Sequence, residues 1–198
     1  MSLRHSYTLI APFYDVLLAS ATGGMRRQSL AQLPATPSRV LLLGVGTGLD
    51  LPYLPPQHHY TGLDLTPAML ARAQRRSGSL PFSPLQGDAQ ALPLADGAFD
   101  VVVLHLILAV VPAPLDCLRE TTRVLRPGGQ LLVLDKFLRP GQRAPLRRWL
   151  TPLSRHLATR LDVEWEPLLA AVPELILEDD QPALAGGWFR RIRARRLG

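Results

Sequence analysis

Three glycines fall within five residues, Gly44-Val45-Gly46-Thr47-Gly48, directly after an apolar run, and Asp64 follows at the end of the next one. Glycines at such a turn let the chain bend sharply and let a ligand approach main-chain atoms. A carboxylate about twenty residues further on can accept both hydroxyls of a ribose. A tight structural turn would also ask for glycine. Leu49 stands where a dinucleotide fingerprint places its third glycine, which disfavours NAD, and the Gly-Lys-Ser/Thr of a phosphate-binding loop is missing. Asp88, in Gln86-Gly87-Asp88-Ala89, has the chemistry to accept a hydrogen bond from an exocyclic amine such as that of adenine, or simply to open a turn. His105 invites two readings as well. A neutral imidazole there suits proton abstraction from an oxygen or ammonium nucleophile, and it suits equally a buried position with a satisfied hydrogen bond. Asp135 and Lys136, ending the fifth apolar run, have the chemistry to orient a substrate, but read first as a solvated ion pair at a strand end.

The elements that must hold these residues alternate short apolar runs with helical stretches, as βαβ units of a mostly parallel sheet do. Strands are expected over residues 39–43, 60–63, 81–85, 99–104 and 130–134, the fourth being continuous and β-branched as doubly buried strands are. Helices are expected over 67–76, with Thr66 as cap and Pro67 in the first turn, and over 114–125, ended by Pro127-Gly128-Gly129. Residues 4–33 have helical spacing and form an expected N-terminal lid, 38–136 the core, 139–170 a helical cap, and 174–196 a closing antiparallel hairpin. The expected architecture is one α/β domain, a Rossmann-like doubly wound sheet with a C-terminal hairpin and a helical cap.

Composition narrows the field. With 198 residues, 47% of them hydrophobic and 19% charged, the chain has the material for one folded domain and too little charge for disorder. The apolar run of residues 101–111 is too short to cross a bilayer, which takes roughly 20 residues, and no signal-peptide pattern is visible, so a cytoplasmic protein is expected. A single cysteine, Cys117, excludes an internal disulfide or a multi-cysteine zinc site. The net charge is +6, and arginines cluster toward the C-terminus, which favours an anionic partner without choosing one.

Taken together, residues 40–48 (Val-Leu-Leu-Leu-Gly-Val-Gly-Thr-Gly), 62–70 (Gly-Leu-Asp-Leu-Thr-Pro-Ala-Met-Leu), 87–89 with 99–103, and 123–131 (Arg-Val-Leu-Arg-Pro-Gly-Gly-Gln-Leu) resemble the ordered motifs of class I S-adenosylmethionine-dependent methyltransferases. The resemblance spans roughly residues 7–136. It implies S-adenosylmethionine as cofactor and S-adenosylhomocysteine as product. It also implies that Gly44, Val45, Gly46, Thr47 and Gly48 meet the methionine part, Asp64 the ribose, and Gly87, Asp88 and Ala89 the adenine, with Leu65, Met69 and Leu104 nearby. Tyr7 and Tyr14 share a helix face in a stretch similar to the family's N-terminal lid, where their rings would steady a sulfonium by about 0.5–2 kcal/mol. Packing of an amphipathic helix is the competing account. One departure stands out: the family usually has an acid two places before the first glycine, and here that place is Leu42. Asp50, or backbone carbonyls and water, would then hold the cofactor's amino group.

Methyl transfer asks mainly for alignment, because a sulfonium is already a good leaving group. His105 is the candidate catalytic residue. The basic, amphipathic cap around Leu153, Leu157 and Leu161 suits a peripheral membrane contact, and it suits lid packing with arginines in water. It is similar to the caps of small bacterial phospholipid-headgroup and quinone-precursor methyltransferases. A small-molecule or lipid-like acceptor is therefore expected. A nucleic-acid acceptor is disfavoured, since residues 105–108 lack the Asp/Asn-Pro-Pro-aromatic tetrad of base-methylating enzymes. A non-catalytic cofactor-binding relative is the other alternative, resting on Leu42 alone.

Overall fold

The computed structural model describes residues 22–138, 163–184 and 187–198. Seven strands form one sheet in the order β3-β2-β1-β4-β5-β7-β6. They are β1 Arg39–Leu43, β2 His59–Asp64, β3 Phe82–Gln86, β4 Phe99–His105, β5 Leu125–Lys136, β6 Leu175–Leu184 and β7 Phe189–Arg196. The first five run parallel, and β7 pairs antiparallel with both β5 and β6. This is the expected doubly wound sheet with its C-terminal hairpin.

Side-chain alternation along these strands feeds two cores, one on each face. On one face Val40, Leu42, Val101, Val103 and Leu132 pack beneath helix α1 (residues 22–30) and α2 (Pro67–Ser77), through Leu30, Leu70 and Ala73. On the other, Leu41, Leu43, Val102, Leu104, Leu131 and Val133 pack against α3 (Pro114–Val124) and α4 (Trp165–Ala170), through Cys117, Leu118 and Trp165. Prolines mark the edges. Pro84 lies in β3 and Pro182 in β6, the two outermost strands, where a missing N–H costs no ladder bond on the open side.

Two boundaries differ from expectation. β5 starts at Leu125, as soon as α3 ends, because Leu125 pairs with Phe99 before the chain bulges and Gln130 pairs with Val101. Residues 126–129, with Gly128 at φ 74°, make up that bulge, so Pro127-Gly128-Gly129 interrupts a strand where it was expected to separate a helix from one. β6 is also far longer than the apolar residues 175–177 suggest. Its outer half is polar because it is an edge strand, and the period-2 apolar signal fades there. Before residue 22, the N-terminal lid lies outside the described residues, as do residues 139–162 of the cap.

His58, just before β2, is fully buried and stacks edge-on against Tyr60, with ring centroids 5.9 Å apart. Neither ring nitrogen has a hydrogen-bond partner. Burial holds its pKa below the ordinary histidine value. His58→Leu should therefore stabilise the fold by about 1 kcal/mol at pH 8, since unpaired buried polar atoms are costly. A depressed imidazole contributes stability that is present above the unfolded pKa, near 6.5, and is lost as pH falls below it. The advantage of the leucine variant should thus widen between pH 7 and pH 5, as read by urea denaturation.

Candidate active site

β1 and β4 are neighbours, while the chain leaves them toward opposite faces of the sheet. Their carboxyl ends therefore part and open the crevice in which ligands of such sheets bind. The glycine turn follows β1, and His105 ends β4 on the other side of the opening.

The three glycines of the turn all have positive φ, but for different reasons. A Cβ on Gly44 would meet Ile107 Cδ1 at 2.5 Å, and one on Gly48 would meet Leu51 Cδ1 at 2.6 Å. At Gly46 the nearest atom would be 3.9 Å away, so this backbone faces open space. Gly44 and Gly48 serve close packing, and Gly46 is the glycine of the turn with open space before its backbone. Val45 and Thr47 are buried, Val45 beneath the turn and Thr47 with its carbonyl accepting from Arg76 Nη1 at 2.7 Å.

Asp64 braces that turn. Its Oδ2 accepts the Gly46 N–H at 2.9 Å and its Oδ1 accepts the Thr66 N–H at 2.9 Å. Each oxygen has capacity for a second hydrogen bond, so a diol can still be bound. Burial raises its pKa, against the backbone N–H groups of Thr66 and Gly46 that favour the charged form. Next to it, Leu65 is 54% exposed, and Met69, in the first turn of α2, is half-buried. Asp88 spends Oδ1 on the Gln90 backbone N–H at 2.9 Å and on Gln90 Nε2 at 3.0 Å, a turn of its own. Gly87 and Ala89 flank it, Ala89 buried, and the following segment is pinned where Glu120 Oε2 accepts the Leu92 N–H at 2.7 Å. The side chain of Leu104 is wholly buried in the core, so only its backbone at the strand end reaches toward the crevice. Tyr7 and Tyr14 lie outside the described residues. The bared turn beside a braced carboxylate fits the ribose and amino-acid ends of an adenosylated methionine.

His105 is buried within a network that its sequence neighbourhood does not announce. Its Nδ1 lies 2.8 Å from Asp50 Oδ1 and its Nε2 3.0 Å from Ser29 Oγ. With Nδ1–H donating to the carboxylate, the Nε2 lone pair accepts the serine hydroxyl, and both nitrogens are engaged. Arg26 Nη1 donates to the same Asp50 oxygen at 2.8 Å, and Arg26 Nε to Thr22 Oγ1 at 3.0 Å. Burial alone would raise the pKa of Asp50, but His105 and Arg26 outweigh it and hold the carboxyl far below its usual range. The network ties α1, Asp50 two residues past the glycine turn, and the end of β4 into one unit. Ser29, His105 and Asp50 resemble a nucleophilic triad in composition only, because Ser29 is fully buried. Leu42 is buried in the core beneath this network and offers no charge. Asp135, expected in solvent beside Lys136, is fully buried instead and accepts backbone N–H groups. Among the described residues no cluster of ligating side chains suits a metal ion, and no helix is long and apolar enough to cross a membrane.

Comparison with known proteins agrees with the fold. Residues 41–133 match the family described as a methyltransferase domain. Phosphatidylethanolamine N-methyltransferase of Cereibacter sphaeroides is 33% identical over 188 residues, 92% of each chain. Demethylmenaquinone methyltransferase of Thermus thermophilus is 37% identical over 139 residues, 65% of this chain and 63% of that one. Among solved structures, geranyl diphosphate methyltransferase in complex with S-adenosylmethionine superposes with a TM-score of 0.71 at 16% identity, over 90% of this chain and 85% of that one. The chain belongs to the S-adenosylmethionine-dependent methyltransferases.

Proposed function

We propose that the protein transfers a methyl group from S-adenosylmethionine to the amine of a phospholipid headgroup. The observation that carries this reading is the extent of the likeness to the Cereibacter phosphatidylethanolamine N-methyltransferase. It covers 92% of both chains and so runs beyond the cofactor core into the cap and hairpin. A quinone-like acceptor is the second reading, favoured by the higher identity to the Thermus demethylmenaquinone methyltransferase over a shorter span.

When bound, S-adenosylmethionine supplies a methyl group on a sulfonium, which needs no further activation. The remaining tasks fall to the chain. In this reading Asp64 takes the ribose hydroxyls, and Gly44, Val45, Gly46, Thr47 and Gly48 line the methionine end. Gly87, Asp88, Ala89, Leu65, Met69 and the Leu104 backbone border the adenine, and Tyr7 and Tyr14 complete the set. Asp50, two residues beyond the turn, is already held by Arg26 and His105, so backbone carbonyls and water take the cofactor's amino group where Leu42 offers no acid. His105 acts by holding Asp50 and Ser29. To serve as a base it would first have to give up the Ser29 hydrogen bond. Rate then comes from holding the acceptor nitrogen in line behind the methyl, with the basic cap resting on the membrane surface that carries the acceptor.

The test is incubation of the enzyme with methyl-tritiated cofactor and vesicles containing phosphatidylethanolamine, in parallel with demethylmenaquinone and with total RNA. Label in phospholipid is the expected result. Label confined to the quinone would replace this reading with the second, and label in RNA or in nothing would overturn both.

A further inference from the structure

We infer that Asp135 is a positioning residue for methyl transfer, because its buried carboxylate fastens the β4–α3 segment that walls the crevice. The inference rests on the proposal that an acceptor is methylated there. Residues 106–113 leave β4 directly at the opening between β1 and β4. Their first residue, Leu106, has φ 60° and is the one non-glycine residue of positive φ among the described residues. A leucine held in that region is strained and persists only where its surroundings over-determine it.

Here the determinants are visible. The Leu106 N–H donates to the Leu134 carbonyl of β5 at 2.8 Å. One residue further along β5, Asp135 Oδ2 accepts the Ala109 N–H at 3.1 Å. The other oxygen accepts the Lys136 N–H at 2.8 Å. Asp135 itself has 0% exposure and points to the face formed by Leu131, Val133 and Phe137. A carboxylate is a costly choice for that place if packing were its whole task. What it provides is a charged, directed acceptor for an N–H of the facing segment, so the path of residues 106–109 is set by one hydrogen bond at the strained leucine and a second three residues on. Val110, 46% exposed, sits on the same segment and offers an apolar contact at the rim.

In-line transfer is sensitive to displacement on the scale of an ångström, so loosening this wall should cost turnover before it costs cofactor binding. Asp135→Asn keeps the shape but leaves one oxygen to accept where two accepted before. Its kcat should fall by about 10- to 100-fold, with the dissociation constant of S-adenosylmethionine, measured by calorimetric titration, within about twofold of wild type. Asp135→Glu, which retains both oxygens, should recover part of that loss. Amide exchange at Ala109 should quicken in Asp135→Asn while β1 and β4 keep their protection. Unchanged kcat, an equal loss of cofactor binding and turnover, or failure of both variants to fold would each overturn the inference. Absence of methyl transfer by the wild-type enzyme would instead sink the acceptor assignment, and the exchange experiment would still judge the tether: unaltered exchange at Ala109 refutes it.

Discussion

Asp64→Ala should weaken binding of S-adenosylmethionine and of S-adenosylhomocysteine by at least about 100-fold, measured by calorimetric titration. Two losses add. The proposed pair of hydrogen bonds from ribose hydroxyls to a charged acceptor is worth about 1.5–3 kcal/mol each, or roughly two to four orders of magnitude in the dissociation constant. The Gly46 and Thr66 N–H groups also lose the oxygens that hold them at 2.9 Å, so the bared turn is no longer set before the ligand arrives. Asp64→Asn should fall between the two, since its single carbonyl oxygen cannot serve the turn and the ligand together. Both products should fold, because Asp64 is only half-buried and neither core contains it. Affinity within threefold of wild type in the alanine variant would remove the ribose assignment and with it the cofactor pose.

The parts of this arrangement that local chemistry dictates could be read in advance. β1, β2 and β4 are short apolar runs whose strand character does not depend on distant partners, and the parallel order follows from the helices between them. The Gly44–Gly48 turn and Asp64 were legible for the same reason: a turn that follows a strand and a carboxylate at the next strand end are fixed by element order. Spacing could not tell which glycine has open space before it. Gly44 and Gly48 pack against Ile107 and Leu51, residues outside the motif, and only Gly46 has open space before it. Nor could it show that His105 meets Ser29 and Asp50, which stand 76 and 55 positions away. An isolated histidine at a strand end looks the same in sequence whether its nitrogens are free or engaged. Asp135 illustrates the limit from the other side. Beside Lys136 it reads as a surface ion pair, and only the strand pairing places β5 centrally, with β4 and β7 on either side, so that its last acid is enclosed.

That enclosure gives the two buried aspartates opposite effects on stability, and the larger belongs to Asp50. Asp50→Ala should destabilise the protein by about 3–5 kcal/mol, because it leaves the buried Arg26 guanidinium without its charged partner and strips His105 of an acceptor. For a domain of this size that is on the order of 10 °C in Tm. Arg26→Met combined with Asp50→Leu should lose much less, since the cost lies in the uncompensated charge more than in the pair itself. The pH dependence separates this from simple cavity formation. The carboxyl of Asp50 is held below its ordinary range, so its stabilisation is complete above the unfolded value, near 4, and disappears only as pH falls well below that. Asp135 behaves the other way. Burial lifts its pKa to about 6, so the native state holds a proton that the unfolded chain has released between pH 4 and 6, and stability from this group is lost as pH rises through 6. Urea denaturation from pH 8 down to 3 should therefore show Asp50→Ala with a constant deficit to pH 5 that narrows only below about 4. Asp135→Asn, which cannot titrate, should lack the wild-type gain between pH 7 and 5. A deficit in Asp50→Ala that stayed constant to pH 3, or that was no smaller in the Arg26→Met/Asp50→Leu pair, would mean that the ion pair does not hold α1 against the end of β4 and that apolar packing alone does.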